Sequence, residues 1–161
     1  GKIQIALQSS ECPLYGPVEA TMYVMVNGEK KMTDEYAISI KADLKEDFSK
    51  MTVEERQQAP IVEYAATTNL GTIKAGKKMA SKISLSNVGL NPLIVRRVMS
   101  NDKDITVYAP KSAIKGGKKA DIKFDLNTAN MTAGSYTRII TVITNDPAHS
   151  VIRLRVEWVV E

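Results

Sequence analysis

The sequence predicts an all-β protein whose strands pair antiparallel in a sandwich or barrel. Two observations carry this. Eight runs are rich in Val, Ile, Thr and aromatics, and several alternate apolar with polar residues at a period of two: "VEATMYVMV" (18–26), "YAISIKADL" (36–44), "KISLSNV" (82–88), "PLIVRRVMS" (92–100), "DITVYA" (104–109), "ADIKFDL" (120–126), "YTRIITVIT" (136–144) and "SVIRLRVEWVV" (150–160). Turn chemistry punctuates them, with "VNGEKK", "NVGLNP", "IKGGKK", "MTAGS" and "TNDPAHS" between runs. Strands at that spacing without long helices between them leave few architectures open.

The opening stretch "GKIQIALQ" reads as a further strand, with Ile3, Ile5 and Leu7 alternating against polar neighbours. One short helix interrupts the pattern. In "SKMTVEERQQAP", Thr52 is followed three residues later by Glu55, the spacing of a reciprocal cap on exposed backbone N–H groups. Pro60 ends that helix near Gln58. Residues 49–66 are therefore expected to be a linker with a helical turn, running extended through "APIVEYAA".

The two ends of the chain repeat a pattern. Each has an alternating strand after a Gly-Lys pair, a polar loop containing Gly (Gly16, Gly134), a long strand ending at Asn (Asn27, Asn145), and another alternating strand. Ile38, Ile40, Ala42 and Leu44 align with Ile152, Leu154, Val156 and Trp158. The second copy has about fifty residues of further strands before it and the first has none. Residues 1–48 are thus expected to be the last three strands of a module whose first half lies upstream.

Composition excludes more than it assigns. The 161 residues are 43% hydrophobic and 25% charged, ordinary for a globular chain, so disorder is not the default. No apolar run approaches the roughly eighteen residues of a spanning helix. Cys12 is the only cysteine, so no disulfide forms within the chain, and Glu11 beside it disfavours a thiolate. His149 is the only histidine, which rules out a zinc site built on several His ligands, and it lies in the "NDPAHS" turn without a nucleophile motif. "SNDKD" and "TNDP" are better read as hairpin turns than as calcium loops. "KAGKK" and "KGGKK" lack the Lys-Ser/Thr ending of a phosphate loop, so Lys77, Lys78, Lys118 and Lys119 read as charged turns. The expectation is no enzyme, no cofactor and no metal. Residues 1–66 carry 7 Lys/Arg against 11 Asp/Glu, and residues 67–161 carry 15 against 7, so the halves are oppositely charged. The basic residues are dispersed over several turns with few aromatics among them, and nucleic acid is not the expected partner. Arg96, Arg97, Arg153 and Arg155 are expected on an outer sheet face or, equally, as edge protection against aggregation.

From residue 67 onward the chain resembles a known family. "NLGTIKAGKKMASKISLSNVGLNPLIVRRV", then "IKGGKKADIKFDL", "AGSYTRIITVITNDP" and "IRLRVEWV", is similar to the bacterial domain of unknown function 1573. That family is an immunoglobulin-like module related to the ASPM-SPD2-Hydin and major-sperm-protein groups. The resemblance implies a seven-stranded immunoglobulin-like sandwich over 67–161, with Ile83, Leu85, Leu93, Val95, Ile122, Phe124, Leu154, Val156 and Trp158 in its core. It also implies a periplasmic, secreted or surface-anchored bacterial protein, and supplies no catalytic residues. Members often carry a Cys-Gly-Cys-Thr motif where this chain has Asn101, Asp102 and Lys103, so no role of those cysteines carries over.

These readings converge on a non-enzymatic protein-interaction or structural module. The alternative is a carbohydrate-binding accessory domain, which requires several of Tyr15, Tyr23, Tyr36, Tyr64, Tyr108 and Tyr136 to converge on one exposed face. The expected interaction face is Ile3, Ile5, Leu7, Ile38, Ile40 and Leu44. Three strands cannot bury such a face alone. At roughly 25 cal/mol per Å² the exposed side chains forfeit several kcal/mol, so self-association through the N-terminal module is expected.

Overall fold

The computed structural model describes residues 4–161. The chain divides into two compact units, Gly1–Glu46 and Asp47–Glu161. Among the described residues no helix is long and apolar enough to cross a membrane.

The first unit is built on one antiparallel ribbon. Strand β1 (Gly16–Tyr23) runs against β4 (Ala37–Leu44), with Gly16 opposite Leu44 and Tyr23 opposite Ala37. Between them a small hairpin joins β2 (Met25–Val26) to β3 (Glu29–Lys30) across an Asn27-Gly28 turn, both residues at positive φ. The expected opening strand is not among the described elements. Residues 4–8 join no ladder, Ile5 and Leu7 are exposed, and Ile3 lies outside the described residues. Alternation specifies what a strand would bury, but an extended segment becomes a strand only against a paired neighbour. Among the described residues the sheet has two strands, not three.

The second unit opens with the short helix α1 (Val53–Gln57). Thr52 Oγ1 accepts from the Glu55 N–H (3.2 Å) and Glu55 Oε2 accepts from the Thr52 N–H (2.8 Å), the reciprocal cap that the spacing predicts. The chain then enters a sandwich of two four-stranded sheets. One is ordered β5 (Val62–Tyr64), β7 (Lys78–Asn87), β10 (Lys119–Asn127), β9 (Ile105–Tyr108). The other is β6 (Thr67–Ile73), β12 (Val151–Val160), β11 (Gly134–Thr144), β8 (Val95–Ser100).

Two features depart from the sequence expectation. The sandwich has eight strands rather than seven, because its first edge is divided. Val62–Tyr64 pairs with β7 in one sheet, and after Ala65 and Ala66 the chain joins the other sheet as β6. Ala65 and Ala66, both exposed, carry the chain from one sheet to the other. The stretch expected to end a linker is thus the first strand of the sandwich. The pairing is also not wholly antiparallel, since β6 runs parallel to β12. Its register slips between Glu157 and Val159, opposite Gly71. Gly71 holds φ +73° there, a conformation costly for a side-chain-bearing residue, and its N–H donates to Asn69 Oδ1 (2.8 Å).

The core follows the period of two. Ile152, Leu154, Val156, Trp158 and Val160 are buried along β12, beside Ile140 and Val142 of β11. Ile122, Phe124 and Leu126 of β10, with Ile83 and Leu85 of β7, complete the same cluster from the other sheet. Of the nine expected core residues eight are buried; Val95, near the bulge of the β8 edge, packs against the cluster half-buried.

Candidate interaction face and the polar clusters of the sandwich

In the first unit, opposed residues of β1 and β4 share a face. Met22 lies opposite Ile38, Ala20 opposite Ile40, Val18 opposite Ala42, and Gly16 opposite Leu44. These positions make one apolar face. Ile38, Ile40, Ala42 and Leu44 are half-buried and Met22 is 45% exposed, so the face is incompletely covered. Of the expected face, the structure brings together Ile38, Ile40 and Leu44. Ile5 and Leu7 do not join the ribbon, and Val18, Ala20 and Met22 take the place foreseen for the opening strand.

The other face is polar. Glu19 lies opposite Lys41 with Oε1 to Nζ at 3.3 Å, and Ser39 Oγ donates to the same carboxylate (2.9 Å). The Ser39 hydroxyl, then the Lys41 ammonium, hold the Glu19 carboxyl below the usual carboxylate range. Lys45 and Asp43 pair at 3.4 Å along the same side of the strand. Among the described residues no strand pairs with the outer edge of β4.

The second unit buries several polar groups, each holding chain to chain. Asn87 is wholly buried and uses both ends of its amide. Nδ2 donates to the carbonyls of Asn91 (2.9 Å) and Ile114 (2.8 Å), and Oδ1 accepts from Ile61 (3.3 Å) and Gly89 (3.0 Å). Thr128 accepts from the Lys77 N–H and its hydroxyl lies within reach of the Lys74 and Lys77 carbonyls. Asp146, 1% exposed, accepts from the backbone of Val62 (2.9 Å), Ala148 (2.8 Å) and His149 (3.3 Å). The His149 ring leans against it, Nδ1 to Oδ2 at 3.4 Å. So the lone histidine sits beside a buried carboxylate, but that carboxylate is engaged in pinning β5 to the β11–β12 turn.

A fourth cluster involves a residue the sequence analysis passed over. Arg138 shares its face with Ile140 and Val142 and therefore points toward the inter-sheet layer, opposite Val156. Its guanidinium lies over the rings of Tyr136 (5.7 Å) and Trp158 (5.8 Å), which stack on each other at 5.7 Å. Nη2 donates to Asp104 (3.1 Å), and Nε lies 3.0 Å from Asp102, out of hydrogen-bond alignment, as an ion pair. The signal was present: Arg138 is two residues from Ile140 in a strand, and parity alone puts both on one face.

Outward positions carry the remaining charges. Arg153 and Arg155 are exposed on β12, as the alternation predicts. On the outer face of β10, Asp121 accepts from Lys82 and Ser84, which draw its carboxyl below the ordinary value. Tyr108 donates to Asp125 (2.9 Å), and that carboxylate raises the phenol above its usual 10.0. In this unit the tyrosines diverge: Tyr64 and Tyr136 pack against the core, and Tyr108 stands outside. A groove of about 480 Å³ near Tyr108 is lined by Lys78, Lys103, Asp104, Thr106, Asp125 and Asn127 among others, without an aromatic wall. Among the described residues no group of three His, Cys, Asp or Glu is placed to hold a metal.

The second unit is thus an immunoglobulin-like β-sandwich. Residues 60–157 match the family model described as HYDIN/CFA65/VesB-like, Ig-like domain, and the chain belongs to that family. Among solved structures, a protein of unknown function from Porphyromonas gingivalis W83 superposes with a TM-score of 0.67 at 18% identity, over 90% of this chain and 66% of that one. The secreted serine protease VesC from Vibrio cholerae superposes with a TM-score of 0.50 at 9% identity, over 67% of this chain and 24% of that one. At these identities the likeness is one of fold. The chain spans just under two thirds of the Porphyromonas protein and about a quarter of VesC. No curated protein matches it.

Proposed function

We propose that the chain is a non-enzymatic interaction module of an extracytoplasmic bacterial protein, its sandwich serving as a rigid carrier. The observation that carries this reading is the disposition of the buried and half-buried polar groups. Asn87, Thr128, Asp146 and Arg138 are each engaged in fastening loops and strands, and a reactive group requires a free valence facing a cleft. The family adds support, because its Ig-like domain is typically non-catalytic. VesC is described as secreted, in keeping with a location outside the cytoplasm. The resemblance of residues 67–161 to the bacterial domain of unknown function 1573 points the same way. In this reading residues 1–48 belong to a second module of the same kind, joined through the helical turn.

A photo-reactive cross-linker placed at exposed Leu90 or Val151 tests the reading against envelope and secreted fractions of the source organism. A discrete protein adduct, abolished by charge at neighbouring outward positions, is the expected result. Retardation of the chain in polysaccharide gels without any protein adduct would replace it with the carbohydrate-binding alternative. Turnover of ester, peptide or glycoside substrates that tracks with the chain through purification would overturn it.

A further inference from the structure

We propose that two copies of this chain pair through the outer edge of β4, antiparallel, with Ala42 on the two-fold axis. The inference rests on the interaction-module reading and names the partner of its N-terminal unit.

The ribbon creates the need. A two-stranded sheet is marginal in water, and this one has an apolar face that is only partly covered. Among the described residues no strand pairs with the outer β4 edge, which leaves it open to an extended strand. The sequence of that edge selects a second copy. Residues 40–44 read Ile-Lys-Ala-Asp-Leu, a pattern that turns into its own complement when reversed. In an antiparallel pairing centred on Ala42, Ile40 faces Leu44 of the second copy on the apolar side. Lys41 faces Asp43 of the second copy on the polar side, and the two-fold axis repeats both contacts. The smallest apolar side chain of the five sits on the axis, where two identical side chains must meet.

Other registers that keep the apolar residues on one face are worse. Centring on Lys41 opposes two ammonium groups. Centring on Asp43 opposes two carboxylates and brings Lys41 against Lys45. Centring on Ile40 sets no opposite charges across the seam. Centring on Leu44 leaves only that residue paired within β4, so among registers that pair β4 with itself the Ala42 register alone extends the existing polar row, with Glu19, Lys41 and Asp43 of the second copy alternating in sign across the strands. The product is a four-stranded sheet with a doubled apolar face, held by an isologous contact.

The test is a charge-reversal cycle read by sedimentation of the full chain from 1 to 100 µM. Lys41→Asp and Asp43→Lys each place two like-charge pairs across the seam, and each is expected to weaken the dimer about tenfold or more. The combined variant restores the pairs in reverse and is expected to recover most of the affinity. Circular dichroism of each single variant separates lost pairing from lost folding. In a Cys12→Ser background, Ala42→Cys is expected to form a covalent dimer under mild oxidation, because residues on the axis approach to disulfide distance. Ser39→Cys, about six residues from its counterpart in this register, is expected not to. A monomer at 100 µM, a double variant no better than the singles, or equal cross-linking at 39 and 42 would overturn the proposal. A monomeric chain that still gives a protein adduct from Leu90 or Val151 would sink self-pairing alone, whereas a dimer with no such adduct would sink the sandwich's role as a carrier for other partners.

Discussion

Substituting Gly89 by Ala tests how the start of the sandwich is fastened. A Cβ at Gly89 would lie 2.3 Å from the Ala59 carbonyl oxygen, 2.5 Å from the Ile61 nitrogen and 2.8 Å from the Pro60 carbonyl carbon. All three atoms are backbone, so no side chain can swing aside. Two responses are open. The turn can deform in place, an overpacking cost of about 1–3 kcal/mol. Or the segment 58–61 can lift away from the turn, giving up three bonds: Val88 N–H to Ile61 O (2.9 Å), Asn91 N–H to Gln58 O (2.9 Å) and Ile61 N–H to Asn87 Oδ1. At about 0.5–1.5 kcal/mol each, that route costs roughly 2–4 kcal/mol before any loss of burial at Ala59 and Val62. The cheaper route governs, and we expect a loss of about 1–3 kcal/mol. Urea unfolding reads it as a midpoint lowered by about 1 M or more at unchanged slope. Hydrogen exchange distinguishes the routes, because lifting deprotects the Val88 and Asn91 amides beyond the global change. A variant within about 0.5 kcal/mol of the parent, with those amides still protected, would refute the reasoning.

Other outcomes follow from the polar clusters. Asn87→Ala takes the acceptor from the Gly89 and Ile61 N–H groups and the donor from the Asn91 carbonyl, while the Ile114 carbonyl keeps the Leu93 N–H; it is expected to cost about 2–4 kcal/mol by denaturant titration. Arg138→Met removes the cation between Asp102 and Asp104 while keeping the stem over the rings; a double-mutant cycle with Asp104→Asn is expected to give a coupling of about 0.5–2 kcal/mol. Glu19 is expected to titrate below 4.5 by NMR, and Ser39→Ala to move it back up, since that hydroxyl is the largest cause. Because the folded carboxyl is the stronger acid, its contribution to the ribbon is present above 4.5 and fades as pH falls through the folded value.

How much of this was legible in the sequence depended on whether a signal was local. Strands β4, β7, β10 and β12 followed from alternation, and the α1 cap from the Thr52–Glu55 spacing, because each pattern is complete within a few residues. The same period misled at residues 4–8, where alternation exists without a described pairing partner. Val62–Tyr64 was hidden for the opposite reason. Three residues are too few for a periodic signal, and what holds them is Asp146, 84 residues away. Asn87 and Asp146 read as hairpin residues, since turn chemistry favours Asn and Asp whether they face water or backbone. Their burial depends on which distant segment docks there, and no local pattern carries that.

The two ribbons show what covering a face does. Gly16 lies opposite Leu44 and Gly134 opposite Val160, so each begins at a glycine paired with the last residue of the returning strand. Aligned on those glycines, Leu44 takes the place of Val160 and Ile40 that of Val156, two residues away from the match read in the sequence, because the connecting loops differ in length. The backbone arrangement is alike; the fate of the inward residues is not. Val156 and Val160 are at 0% and 1% exposure beneath a facing sheet, while Ile40 and Leu44 remain half-buried. The difference is not propensity, since Ile and Leu bury as readily as Val. A ribbon that meets a second layer becomes core; the β1–β4 ribbon keeps a half-buried apolar face, and among the described residues no strand pairs with the outer edge of β4. That residual hydrophobic driving force, together with the Lys41 and Asp43 pattern at the edge, is why the proposed self-pairing is placed on the N-terminal unit.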